Sequence, residues 1–129
     1  MKIEHVALYT DKLEEMKNFY TCFFKGKASS KYVNETKGFE SYFITFASGA
    51  RLEIMRQQGL DSRRTLDDTQ YLGWSHIAFS AGSKEQVDQL TRILEERGFQ
   101  KVSGPRTTGD GYYESCILDP DGNRVEITE

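Results

Sequence analysis

Ile3-Glu-His-Val-Ala-Leu-Tyr-Thr10 and Trp74-Ser-His-Ile-Ala-Phe-Ser80 are two versions of one stretch, and their reading decides the fold. Each alternates with period two, the pattern of a half-buried strand. In the first, Val6 and Leu8 share one face, and Ile3, His5, Ala7 and Tyr9 the other. In the second, Ile77 and Phe79 share one face, and His76 and Ala78 the other. Each stretch runs into a helix signal. Asp11 with Glu14 reads as an acidic capping box, and Ser83 with Gln86 reads as another. Leu13, Met16, Tyr20 and Phe23 form one apolar stripe; Val87, Leu90 and Leu94 form the second. Gly26 and Gly98 follow, each suited to a positive φ just past a helix.

Further out, the order repeats as well. After the first helix, 28–33, 41–47 and 51–56 read as strands, with turns at 34–38 and Ser48-Gly49. After the second, 100–104, 112–118 and 124–128 read as strands, the last entered through the turn Asp119-Pro-Asp-Gly122. The landmarks keep nearly one offset: 71 residues between the histidines, 72 between the caps and 72 between the glycines. This is an internal repeat of βαβββ order. We expect an α+β fold of two tandem βαβββ modules, each a curved mixed sheet with a helix on its convex face. The first module takes 1–56 and the second 74–129. The polar stretch 57–73 connects them within a single domain spanning 1–129. Neither module is long enough to bury a core alone.

Composition removes several function classes. The 129 residues carry a net charge of −3, and no basic run exceeds Arg63-Arg64, so a nucleic-acid partner is not expected. No apolar run approaches the roughly 20 residues of a bilayer span. The opening residues lack the pattern of a secretion signal, so the expected location is cytoplasmic, with no membrane partner. Cys22 and Cys116 are far apart and form no paired motif. Reduced thiols, buried or half-buried, in a helix and a strand respectively, are expected.

The two histidines in the chain, His5 and His76, occupy equivalent repeat positions. Glu53 and Glu126 are equivalent too, in the last strand of each module. Alternation sets all four opposite the apolar faces. Taken singly, a strand histidine is commonly a half-buried polar residue and a strand glutamate a solvated one. Taken jointly, two neutral imidazoles and two carboxylates suit one divalent transition metal: Zn, Ni, Co, Mn or Fe.

The segments I-E-H-V-A-L, R-L-E-I-M, W-S-H-I-A-F and D-P-D-G-N-R-V-E-I together resemble the vicinal oxygen chelate superfamily, over essentially the whole chain. Within it, the order His, Glu, His, Glu is most similar to glyoxalase I (lactoylglutathione lyase). The resemblance implies a metal held by His5, Glu53, His76 and Glu126, with Ni or Co favoured by analogy over Zn. It implies a lyase that converts the hemithioacetal of a 2-oxoaldehyde and a thiol into a 2-hydroxyacyl thioester. The metal acts there as Lewis acid and a carboxylate moves the proton, Glu126 the first choice and Glu53 the second. It also implies a small-molecule substrate carried as a thiol adduct. A homodimer is expected, in which modules pair within a chain or across two. One departure stands out. Glutathione-using relatives carry Arg four residues after the first His and Asn four after the first Glu; here these are Tyr9 and Gln57. Tyr lacks the charged fork of Arg, so the thiol differs or the reaction is another of the superfamily: epimerase, thiol transferase or dioxygenase. A metal-free binding protein of the bleomycin resistance kind is the remaining alternative. Tyr9, Met55, Gln57 and Arg56 are the substrate-binding candidates. Arg63 and Arg64 are read either as anion contacts or as solvated charges. The run Thr107 to Tyr113 is read as a flap or a plain hairpin loop.

Overall fold

The structure, a computed structural model, describes residues 1–60 and 73–129. The chain divides into two compact units, Met1–Arg63 and Arg64–Glu129. The first contains β1 (His5–Tyr9), α1 (Leu13–Phe23), β2 (Lys27–Ala28), β3 (Tyr32–Asn34), β4 (Phe39–Thr45) and β5 (Arg51–Gln57). The second contains β6 (His76–Ser80), α2 (Lys84–Glu96), β7 (Lys101–Thr107), β8 (Tyr113–Leu118) and β9 (Arg124–Thr128). Both units have the order read from the repeat, and the fold is mixed α+β, with two sheets and two helices among the described residues.

The sheets share a topology. In the first unit the order is β1-β5-β4-β2, with β3 also on β4; in the second it is β6-β9-β8-β7. The first strand of each unit lies at a sheet edge, parallel to the last strand. The remaining pairs are antiparallel.

Each helix packs on one face of its own sheet. Leu13, Met16, Phe19 and Tyr20 of α1 are buried with Ile44, Leu52 and Ile54. Val87 and Leu94 of α2 are buried with Ile117, Val125 and Ile127. Each fully buried aliphatic side chain contributes about 1.5–3 kcal/mol relative to exposure. These residues hold β5 and β9 firmly, and those strands carry the two glutamates. The edge strands are less covered: Val6 remains 37% exposed. Its apolar face therefore meets the helix less closely than alternation alone implies.

Several local expectations change. Asp11 does not cap α1. Lys12 holds the N-cap position without a side-chain cap, and Thr10 Oγ1 instead accepts from the Lys12 N–H at 2.8 Å. Ser83 does cap α2, accepting from the Gln86 N–H at 3.3 Å. Phe19 rather than Phe23 completes the buried stripe of α1. In α2, Thr91 is buried where Leu90 is only partly covered. The strand expected at 28–33 is split into β2 and β3. Ser29 Oγ accepts from the Phe43 N–H at 3.1 Å, so a side chain takes the place of a ladder carbonyl where the strand breaks. Cys116 is buried, but Cys22 lies on the exposed side of α1, because the buried stripe runs through positions 13, 16, 19 and 20.

Gly26 is a glycine for a different reason than expected. Lys25, not Gly26, takes the positive φ, at 56°. A Cβ on residue 26 would stand 2.4 Å from Ile44 Cγ2 and 3.0 Å from the Tyr20 carbonyl oxygen. Gly98 keeps the expected role, with a φ of 86° beyond α2.

Candidate functional site

In each unit the parallel pairing brings one His and one Glu together. In the first, Ala7 sits opposite Glu53 and His5 opposite Arg51, so His5 and Glu53 are diagonal neighbours on one face. Their Nε2 and Oε2 atoms are 3.9 Å apart. In the second, Ala78 sits opposite Glu126, and His76 Nε2 lies 3.1 Å from Glu126 Oε2. The small Ala beside each Glu leaves room for the carboxylate to turn toward the His. The other face of β5 and β9 carries the buried Leu52, Ile54, Val125 and Ile127, which fixes the direction of both glutamates.

The surroundings of the two pairs differ. His5 Nδ1 lies 2.5 Å from Glu4 Oε2, and Glu4 is also paired with the Arg51 guanidinium. That guanidinium sits over the Phe43 ring, 4.2 Å from its centroid, while the His5 ring meets Phe43 edge-on at 5.5 Å. The hydrogen bond from His5, and then that from Arg51, hold the Glu4 carboxyl below the usual carboxylate range. Among the described residues, His76 has a hydroxyl at the same atom, Ser75 Oγ at 3.3 Å from Nδ1. Glu126 is pushed up from the usual carboxylate range, first by burial; His76 and Arg124 oppose the shift, and the charges of Glu114 and Asp110 add to it.

The donor chemistry fits a divalent metal. Two donors bound at about 2.1 Å and at right angles on one ion stand about 3 Å apart. His76 and Glu126 match this separation, and His5 and Glu53 stand somewhat wider. Among the described residues no group of three or more His, Cys, Asp or Glu gathers to hold an ion. Each unit thus offers two donors.

Tyr9 and Met55 are register partners on the face of His5 and Glu53, Tyr9 exposed and Met55 half-buried. Gln57 follows on the same face of β5, and its Nε2 donates to the Lys37 carbonyl at 2.7 Å. Arg56 does not share this face. It follows Met55, so its side chain falls on the helix side of the strand, where it pairs with Glu40 at 2.7 Å. Arg56, expected as a substrate contact, stays half exposed in this pair. Arg63 and Arg64 lie outside the described residues. Thr107 to Tyr113 is a hairpin connection closed by Thr108 N–H to the Tyr112 carbonyl at 2.8 Å. Sequence reasoning passed over Glu4, Arg51 and Phe43. Opposite charges flanking the first His and first Glu were a usable signal, but the strand register that joins them is not written in one sequence.

Known proteins share the family and the fold of this chain. The family described as the glyoxalase/bleomycin resistance protein/dioxygenase superfamily matches residues 2–127. An uncharacterized protein of Bacillus subtilis (strain 168), YqjT, is 28% identical over 131 residues, covering 97% of this chain and 96% of that one. The trypanothione-dependent glyoxalase I of Leishmania major superposes with a TM-score of 0.78 at 18% identity, over 100% of this chain and 86% of that one. A glyoxalase family protein from Enterococcus faecalis superposes with a TM-score of 0.77 at 24% identity, over 99% and 97% of the two chains. At these identities the solved structures speak for the fold.

Proposed function

We propose a glyoxalase I-like isomerase as the function of this chain, which belongs to the glyoxalase/bleomycin resistance protein/dioxygenase superfamily. The observation that supports it most is the repeated His–Glu pair, at 3.9 Å in one unit and 3.1 Å in the other, on equivalent strands. In this reading both units form one functional domain. His5, Glu53, His76 and Glu126 are the ligands of one divalent ion, Ni or Co before Zn, Mn or Fe. When bound, the ion supplies Lewis acidity that makes the proton beside a carbonyl easier to remove.

The residues of the chain do the rest. Glu126 takes the carbon-bound proton and returns it to the neighbouring carbon. Its burial raises its basicity toward what a general base needs, and His76 at 3.1 Å holds the carboxylate in place. Glu53 is the second candidate for the same step. Tyr9, Met55 and Gln57 contact the substrate. Tyr9 stands where glutathione-using relatives carry Arg, which favours a thiol without the carboxylate that Arg would bind. The same substitution supports the second reading, another metal-dependent enzyme of the superfamily. A homodimer acting on a small molecule is part of the proposal.

The test is an isomerase assay on the metal-reconstituted chain, with methylglyoxal and several low-molecular-weight thiols offered in turn. Turnover with at least one thiol, abolished by a chelator and restored by Ni or Co, is the expected result. Stoichiometric metal binding without turnover on any thiol refutes the isomerase and leaves the second reading. Absence of metal binding refutes both and leaves a binding protein.

A further inference from the structure

The two His–Glu pairs are equivalent in sequence, yet their second contacts are chemically unequal. Resting on the metal-site reading above, we propose that Glu4, held by Arg51, is a positioning residue that fixes His5 as the Nδ1–H tautomer and presents the Nε2 lone pair toward Glu53. Among the described residues no carboxylate faces Nδ1 of His76; its carboxylate neighbour, Glu126, is at Nε2.

A carboxylate only accepts hydrogen bonds, so an imidazole nitrogen beside it must carry the proton. His5 Nδ1 lies 2.5 Å from Glu4 Oε2. Nε2, the atom 3.9 Å from Glu53 Oε2, is then the unprotonated one. Glu4 is itself anchored, since its other oxygen pairs with Arg51. Arg51 is the register partner of His5 on β5 and is braced by the Phe43 ring. The ring of His5 also rests edge-on against Phe43. The imidazole is therefore held at Nδ1 and at its edge, and the free nitrogen points where a ligand nitrogen must. At His76 the carboxylate stands at the other nitrogen: Glu126 Oε2 lies 3.1 Å from Nε2, which puts the proton there in the metal-free chain, and Ser75 Oγ at 3.3 Å from Nδ1 can donate to that nitrogen. Cys116, in the register position of Phe43 beside Glu126, offers no aromatic brace. In the first unit the ligand nitrogen is thus held free of a proton, and in the second it shares its proton with Glu126. That division suits a reaction in which Glu126, not Glu53, moves a proton.

The experiment uses the full chain, wild type and the variants E4Q, R51K and S75A. Long-range 15N–1H NMR on the metal-free protein at roughly pH 8, where an ordinary imidazole is neutral, reads each tautomer directly. We expect His5 as Nδ1–H in wild type and S75A, and mixed in E4Q, whose amide both donates and accepts. We expect His76 as Nε2–H throughout, since Glu126 accepts at that nitrogen in all four chains. Ni titration against a competing chelator gives the second readout. Loss of such an orienting partner costs ~10–100-fold in metal affinity, expected for E4Q and, in smaller part, for R51K, but not for S75A. An Nε2–H His5 in the wild-type chain, or equal affinity losses in E4Q and S75A, overturns the proposal. A wild-type chain that keeps the Nδ1–H tautomer but binds none of Ni, Co, Zn, Mn or Fe leaves the Glu4 assignment standing and refutes the isomerase reading, so the two failures are distinct.

Discussion

Replacing Gly26 by Ala tests whether this glycine serves conformation or space. The two reasons predict different partners and different magnitudes. Gly26 is not among the positive-φ residues, so a backbone penalty is not the issue. The added Cβ would stand 2.4 Å from Ile44 Cγ2 and 3.0 Å from the Tyr20 carbonyl oxygen. Ile44 is fully buried against α1 and cannot swing aside into solvent. Such overpacking costs about 1–3 kcal/mol, since either the side chain leaves its rotamer or the backbone shifts. With a urea m-value of about 2 kcal/mol/M, a loss of about 2 kcal/mol moves the unfolding midpoint down by about 1 M. The source of the cost is isolated by a double-mutant cycle with Ile44→Ala, which removes the obstructing Cγ2. Ile44→Ala alone costs about 2–5 kcal/mol as a cavity. In the double variant the new Cβ has room, so its cost falls close to that of Ile44→Ala alone, a coupling of about 1–3 kcal/mol. Strict additivity of the two single effects, or a Gly26→Ala variant as stable as wild type, refutes the close-approach account. Lys25→Gly provides the opposite sign. Lys25 sits at a φ of 56°, a region costing an L-residue about 1–2 kcal/mol, so that variant is expected to be neutral or more stable despite its looser unfolded chain.

Three further outcomes are expected. Glu126→Gln keeps the shape of the side chain but cannot take a proton, and a lost general base costs about 10²–10⁴-fold in turnover, while Glu53→Gln acts mainly on metal affinity; steady-state kinetics at saturating metal separates them, and full activity of Glu126→Gln refutes the assignment. Glu14 is pulled from 4.5 to about 2 by hydrogen bonds from Lys17 and Lys31 and then Tyr42. A lowered carboxylate stabilises the fold above its unfolded pKa, so this contribution is present above about pH 4.5 and is lost as pH falls toward 2. Its half-exposed side chain limits it to roughly 1 kcal/mol after solvent screening, and denaturation of Glu14→Gln against wild type at pH 7 and pH 3 should show the gap closing in acid. Thr91 and Ser115 form a buried hydroxyl pair at 2.6 Å, with Thr91 donating onward to the Val87 carbonyl. Thr91→Val strands the Ser115 hydroxyl and costs about 1–3 kcal/mol, and adding Ser115→Ala recovers part of it in urea unfolding.

What the sequence made legible followed from short-range physics repeated twice. Alternation around His5 and His76 gave both first strands, and Leu52, Ile54, Val125 and Ile127 gave the buried faces that orient Glu53 and Glu126. One face per strand also sorts Arg56 away from Glu53, toward Glu40 with which it pairs. The capping of α2 by Ser83 was readable because the hydroxyl acts on a neighbour three residues on. The start of α1 was not, because Thr10 bonds the Lys12 N–H and displaces Asp11 from the role its type suggests. Gly26 shows the same limit more sharply. Its identity signalled a constraint, but whether φ or space imposed it depends on Ile44, a residue on a different element.

The pairing of Glu4 with Arg51 is further still from the reach of one sequence. It spans 47 positions and exists only because β1 and β5 are parallel in a register that sets His5 beside Arg51. The same register in the second unit sets His76 beside Arg124, with Ser75 where the first unit has Glu4. A repeat that preserved both histidines, both glutamates and both arginines while differing at the residue before each histidine has kept the donors and changed what holds them. The strands and their register are common to both units, so the difference in what each histidine meets at Nδ1 comes from the residue before it.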